Sequence, residues 1–103
     1  MKIKDIINVL ENMASPTLQE DYDNAGLITG NEEDECTGVL CTLDVTEEVV
    51  KEAIQKKCNL VVAHHPIIFR GLKRITGRNY VERVVIDAIK NSVAIYAIHT
   101  NLD

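Results

Sequence analysis

No apolar run in this 103-residue sequence approaches membrane-spanning length; a transmembrane helix needs about 20 consecutive apolar residues. A signal-peptide core is also missing, because Asp5, Glu11 and Asn12 interrupt the apolar positions of the first segment. Both absences point to a cytoplasmic protein. Positive charge is in short supply: 11 lysines and arginines stand against 16 aspartates and glutamates, a net charge of −5. That balance argues against broad electrostatic binding to nucleic acid or to an anionic membrane, and neither is expected as a partner. The three cysteines, Cys36, Cys41 and Cys58, are odd in number and form no C-x-x-C pair. Reduced, mostly buried thiols are the expectation. The sequence has no Gly-rich phosphate loop and no G-x-S-x-G nucleophile turn. Internal repeats, low-complexity stretches and linkers are absent too.

What is present suits one soluble globular domain spanning residues 1–103, with 46% hydrophobic and 26% charged residues. Ile3, Ile6, Ile7, Leu10 and Met13 recur at helical spacing and predict an amphipathic N-terminal helix. Ser15-Pro16 ends it, since the residue before proline avoids helical geometry. Leu27 to Thr29 reads as a short strand. The acidic run from Asn31 to Glu35 reads as a solvated turn. Gly38 to Leu43 predicts a buried strand. A helix follows, with Asp44 or Thr46 as its N-cap and Glu47 in capping-box register. Its inner face carries Val49, Val50, Ala53 and Ile54, and Cys58-Asn59 closes it. Leu60 to Ala63 is the next strand. A second long helix presents Tyr80, Val81, Val84, Val85, Ala88 and Ile89 on one face. Asn91-Ser92 ends that helix, and Val93 to Ile98 is the last strand. The fold class is therefore α/β: a parallel or mixed sheet flanked by helices, with a strand-helix-strand-helix-strand core preceded by an N-terminal helix.

Parallel strands place their carboxyl ends on one edge, where ligands bind in open α/β sheets. All three histidines, His64, His65 and His99, fall at predicted strand ends. Asp44 and Asp103 share the predicted edge. Imidazole is the commonest metal ligand and the usual acid–base group near neutral pH. Adjacent side chains at a strand end diverge, so His64 and His65 are better suited to two ions than to one. A bridging carboxylate would be needed between those ions, and Asp103 is the best placed, although a terminal aspartate is equally often just solvated. Pro66 restricts His65 to extended geometry. Asn24 and Asp44 are candidates for hydrogen bonds that orient the ligands. Arg70, Lys73, Arg74 and Arg78 make a basic stretch in an acidic chain, read either as a solvated loop or as a hold for substrate phosphates.

Four ordered segments carry a resemblance. Asp23-Asn24-Ala25-Gly26-Leu27, Leu43-Asp44-Val45-Thr46, Ala63-His64-His65-Pro66-Ile67-Ile68-Phe69 and His99-Thr100-Asn101-Leu102-Asp103 together resemble the Nif-three-like family, also described as GTP cyclohydrolase I type 2 or dinuclear metal-centre hexameric proteins. The match covers essentially the whole chain. It implies a site for two divalent metal ions (zinc, iron or manganese) with His64, His65 and Asp103 as ligands from this half. His99 is implied as a proton carrier, the catalytic candidate, or as a hydrogen-bonding neighbour of the ligands. The resemblance also implies a homo-oligomer, a toroidal hexamer in the longer relatives, and a metal-dependent hydrolase acting on a purine nucleotide or related ring. Metal storage or delivery, or a regulatory role without turnover, is the alternative. Chains of this family continue past the Asn-Leu-Asp motif, where a later histidine and glutamate complete the two metal sites. The expectation for the 103-residue chain is an N-terminal segment lacking the C-terminal half, or a site completed from another chain. With three ligands for two ions, this chain alone is expected to bind metal weakly and to show little catalysis.

Overall fold

The computed structural model describes residues 1–13, 26–64 and 74–98. The element order is α1 (Ile3–Met13), β1 (Gly26–Thr29), β2 (Val39–Thr42), α2 (Glu47–Gln55), β3 (Leu60–Ala63), α3 (Tyr80–Lys90) and β4 (Ala94–Ala97). The strands form a four-stranded sheet in the order β1-β4-β3-β2. β2, β3 and β4 run parallel, and β1 pairs antiparallel with β4, so the sheet is mixed.

β3 and β4 occupy the two central positions and are buried along their whole length. Their sequences, Leu-Val-Val-Ala and Ala-Ile-Tyr-Ala, are apolar without alternation, as expected when both faces of a strand are covered. Successive residues nonetheless divide between two cores. Val61, Ala63, Val93 and Ile95 pack with Val50 and Ala53 of α2 and with Val84 and Ala88 of α3. Leu60, Val62, Ala94 and Tyr96 pack with Ile3 and Ile7 of α1. The result is a layer of sheet between one helix and a helix pair.

The helix ends follow from local chemistry. α1 starts against the acidic turn: the amides of Ile3 and Lys4 donate to the carbonyls of Asp34 and Glu32. Lys2 and Lys4 both reach Glu33. The turn read as merely solvated therefore satisfies two of the helix's orphan N–H groups. Thr46, not Asp44, is the N-cap of α2, its hydroxyl accepting from the Val49 amide at 3.2 Å. α2 ends before Cys58-Asn59 because Lys57 turns left-handed (φ 59°). Ser92 does the same after α3 (φ 57°).

Some side chains lie outside the faces assigned to them. Ile54, Tyr80 and Ile89 are exposed; Tyr80 and Ile89 each lie roughly a quarter-turn from the centre of the α3 stripe. The cysteines are free, as expected, but none is buried: Cys36 and Cys58 are half-buried and Cys41 is exposed. Cys41 sits on the edge strand β2 opposite Val62. It faces the α1 side of the sheet, where the core ends at Leu60 and Val62. No helix among the described residues is long and apolar enough to cross a membrane.

Candidate functional site at the carboxyl edge of the sheet

The three parallel strands end flush. Thr42 pairs with Ala63 and Ala63 pairs with Ala97 across the sheet. The ladder runs one residue further on each side: the His64 amide donates to the Thr42 carbonyl at 3.0 Å, and the Ile98 amide donates to the Ala63 carbonyl at 2.7 Å. His64 thus has its backbone fixed at the end of a central strand, between the ends of β2 and β4. Its side chain is half-buried. Next door, the Asp44 carbonyl accepts from the Thr42 hydroxyl at 2.9 Å, so Asp44 belongs to the tight exit from β2 and its residue is exposed.

Of the metal candidates, His64 alone lies among the described residues; His65, His99 and Asp103 fall outside them, as does Asn24. Among the described residues no cluster of three or more His, Cys, Asp or Glu could hold a metal ion. The full candidate set is two imidazoles, a third imidazole and a carboxylate. Such nitrogen and oxygen donors suit zinc, iron or manganese, and the flush parallel strand ends supply one edge on which to gather them.

The first turns of α2 and α3 meet at this same edge. Thr46, Glu47, Glu48, Lys51 and Tyr80 line a cleft of about 410 Å³ between them. Arg83 ties the helices together: its Nε donates to Glu47 Oε1 at 2.9 Å and its Nη1 to the Gly77 carbonyl at 3.2 Å. The basic stretch is only partly available for a ligand. Arg78 is ion-paired with Glu82 at 3.4 Å, whereas Arg74 is exposed; Arg70 and Lys73 lie outside the described residues.

Glu82 is the polar residue that sequence reading passed over. It is 1% exposed, and five donor groups converge on its carboxylate. Oε1 accepts from the amides of Thr76 at 3.0 Å and Arg78 at 3.3 Å, and from the Thr76 hydroxyl at 3.4 Å. Oε2 accepts from the Asn79 side-chain amide at 3.2 Å and pairs with Arg78. The Thr76 amide leads the groups that hold this carboxyl below the ordinary glutamate range, against the opposing effect of burial. One signal was available: Asn79 and Glu82 stand at capping-box spacing, and Asn79 is indeed the N-cap of α3, its side chain accepting from the Glu82 amide at 3.0 Å.

Comparison with known proteins agrees with this architecture. Two clostridial relatives, both named GTP cyclohydrolase 1 type 2 homolog, align with all of this chain. The protein from Clostridium acetobutylicum is 40% identical and that from Clostridium perfringens 44%. The chain spans only 38% and 39% of their lengths. A solved structure, the Bacillus cereus protein related to NIF3, superposes on the whole chain with a TM-score of 0.92 at 43% identity, and 28% of that chain is covered. The model of the Duf34/NIF3 (NGG1p interacting factor 3) family matches residues 1–103, and the chain belongs to that family.

Proposed function

We propose that this protein binds a pair of divalent metal ions through His64, His65 and Asp103, and that the longer protein to which such a segment corresponds is a metal-dependent hydrolase of the GTP cyclohydrolase type, acting on a purine nucleotide or related ring. The observation that carries the reading is the position of His64, backbone-locked at the flush carboxyl edge of three parallel strands. The relatives' name supplies the reaction class. Zinc, iron or manganese would supply Lewis-acid polarisation and acidified water at that edge. The chain's own residues would do the rest: His64, its backbone bonded at the strand end, and His65 would hold the ions, and His99 would carry a proton to or from the reacting ring. A homo-oligomer, hexameric in the complete protein, and a cytoplasmic location belong to the same proposal.

One observation favours a second reading, metal storage or delivery without turnover. Arg78 is ion-paired with Glu82, so one cation of the stretch already has an internal carboxylate to neutralise. GTP binding measured by calorimetry separates the two readings.

The deciding experiment is metal content by elemental mass spectrometry. Wild-type protein loaded with zinc or manganese should retain metal after desalting, and His64→Ala/His65→Ala should lose it. His99→Ala should keep metal and lose turnover in the complete protein. Equal metal in the wild type and the double variant would overturn the assignment of these ligands.

A further inference from the structure

Thr76, Gly77, Arg78 and Asn79 form a short turn that precedes α3 at the carboxyl edge. Gly77 has φ +84°, a left-handed conformation available to glycine at little steric cost. Successive amides flanking such a residue can aim into one concavity and bind an anion there. Here the amides of Thr76 and Arg78 converge on Glu82 Oε1. The anion is thus supplied by the protein itself, from the first turn of the following helix.

In an ordinary capping box the N3 carboxylate accepts from one amide, that of the N-cap residue. Glu82 instead gathers two amides, a hydroxyl, a carboxamide and a guanidinium, and all but 1% of it is buried. Each of these is a donor, so only the ionised carboxylate satisfies them all. A protonated or amide side chain would bring its own hydrogens into a site already full of hydrogens. From the outside, Arg83 holds the turn by the Gly77 carbonyl while bonded to Glu47 of α2. Among the described residues, Arg78 is the charged group paired with Glu82, and Arg83 and Glu47 flank the turn on its outer side.

We propose that the Glu82 carboxylate is a latch for the Thr76–Asn79 turn: ionised, it folds the turn onto the start of α3, and neutralised, it releases the turn from the carboxyl edge while helix and sheet stay in place. The latch does not depend on metal binding or on a particular substrate. It makes Glu82 a positioning residue for whatever occupies the edge beside α2 and α3. The sign of its pH dependence follows from the lowered carboxyl pKa. The hold is complete above the ordinary glutamate value of about 4.3 and is lost as the pH falls through the lower folded value.

The test is amide hydrogen exchange by NMR on the wild type and Glu82→Gln at neutral pH. The variant keeps the size of the side chain and removes its charge. Protection at the Thr76 and Arg78 amides should fall about tenfold or more, while Val84 to Ala88 of α3 keep theirs. Should Glu82→Gln fail to fold, an acid titration of the wild type decides instead. The Thr76 and Arg78 amide shifts should then follow the titration of the Glu82 carboxyl carbon, ahead of any change in β3 or β4. Unchanged protection in a folded variant, or amide shifts independent of the Glu82 carboxyl, would overturn the proposal.

Discussion

A side chain at position 30 has nowhere to go. Gly30 follows β1 with φ +100°, and a Cβ built there would lie 2.5 Å from the Ala94 Cβ and 2.7 Å from the Ala94 Cα. Ala94 is in the central strand β4 and is itself buried, so it cannot give way. The close approach is what lets β1 lie against β4, with the Thr29 hydroxyl donating to the Val93 carbonyl at 3.1 Å. Gly30→Ala combines left-handed backbone strain with a backbone clash, and should cost about 2–3 kcal/mol, read as a lowered urea midpoint with an unchanged slope. Glycine at this position is easy to see in sequence and hard to interpret there. Its neighbour lies 64 positions away in the chain, and nothing local announces the contact. Glu82 poses the same difficulty: capping-box spacing marks the helix start, whereas the convergence of Thr76 and Arg78 depends on a turn that sequence spacing does not specify.

Both helix-to-strand connections of the parallel core are built alike. After α2, the Lys57 amide donates to Ile54 and the Cys58 amide to Ala53; after α3, the Ser92 amide donates to Ile89 and the Val93 amide to Ala88. This is the Schellman pattern, which satisfies the last helix carbonyls and directs the chain back to the sheet. It requires a left-handed residue at the turn, usually glycine, yet lysine and serine stand there with φ 59° and 57°. Each forgoes the relief glycine would bring. Ser92→Gly should therefore stabilise the fold by up to about 1 kcal/mol, the gain being trimmed by glycine's greater freedom in the unfolded chain; thermal and urea unfolding of the single variant measure it. At this scale the sequence was largely readable. Apolar periodicity over α1, α2 and α3, and the uninterrupted apolar runs of β3 and β4, are strong signals because both cores draw on them. The antiparallel place of β1 was not readable, since four residues with partial burial carry too little pattern to name a partner. The end of α3 fell at Asn91-Ser92 as expected, whereas α2 stops at Gln55, short of Cys58-Asn59, because left-handed Lys57 is chosen by hydrogen bonding and not by residue type.

The sheet is most fully buried in β3 and β4, and His64 follows directly on β3. β3 and β4 are buried on both faces and hydrogen-bonded on both sides, whereas β1 and β2 are edges; Val39, Cys41 and Leu43 on or just after β2 are exposed. His64 is the first residue beyond β3, and its amide is already part of the ladder. The place of His64 just beyond β3 was legible in the sequence because a short apolar run bounded by turn signals marks a strand. His65, His99 and Asp103 lie outside the described residues. An imidazole whose backbone is bonded into the sheet can keep its direction, which is what a metal ligand would need. This reading has a measurable consequence. Amides of Val61 to Ala63 and Ile95 to Ala97 should exchange only through global unfolding, with a urea dependence equal to that of the whole domain. Amides of Leu40 to Thr42 on the β2 edge should exchange through smaller openings, about tenfold or more faster and with little urea dependence. The His64 amide, bonded to Thr42 at that edge, is the informative probe. If it exchanges with the slow class, the strand end is as rigid as its interior and the direction of His64 is set in advance. If it exchanges with β2, its direction is not fixed in advance, and the proposed metal would have to order it on binding.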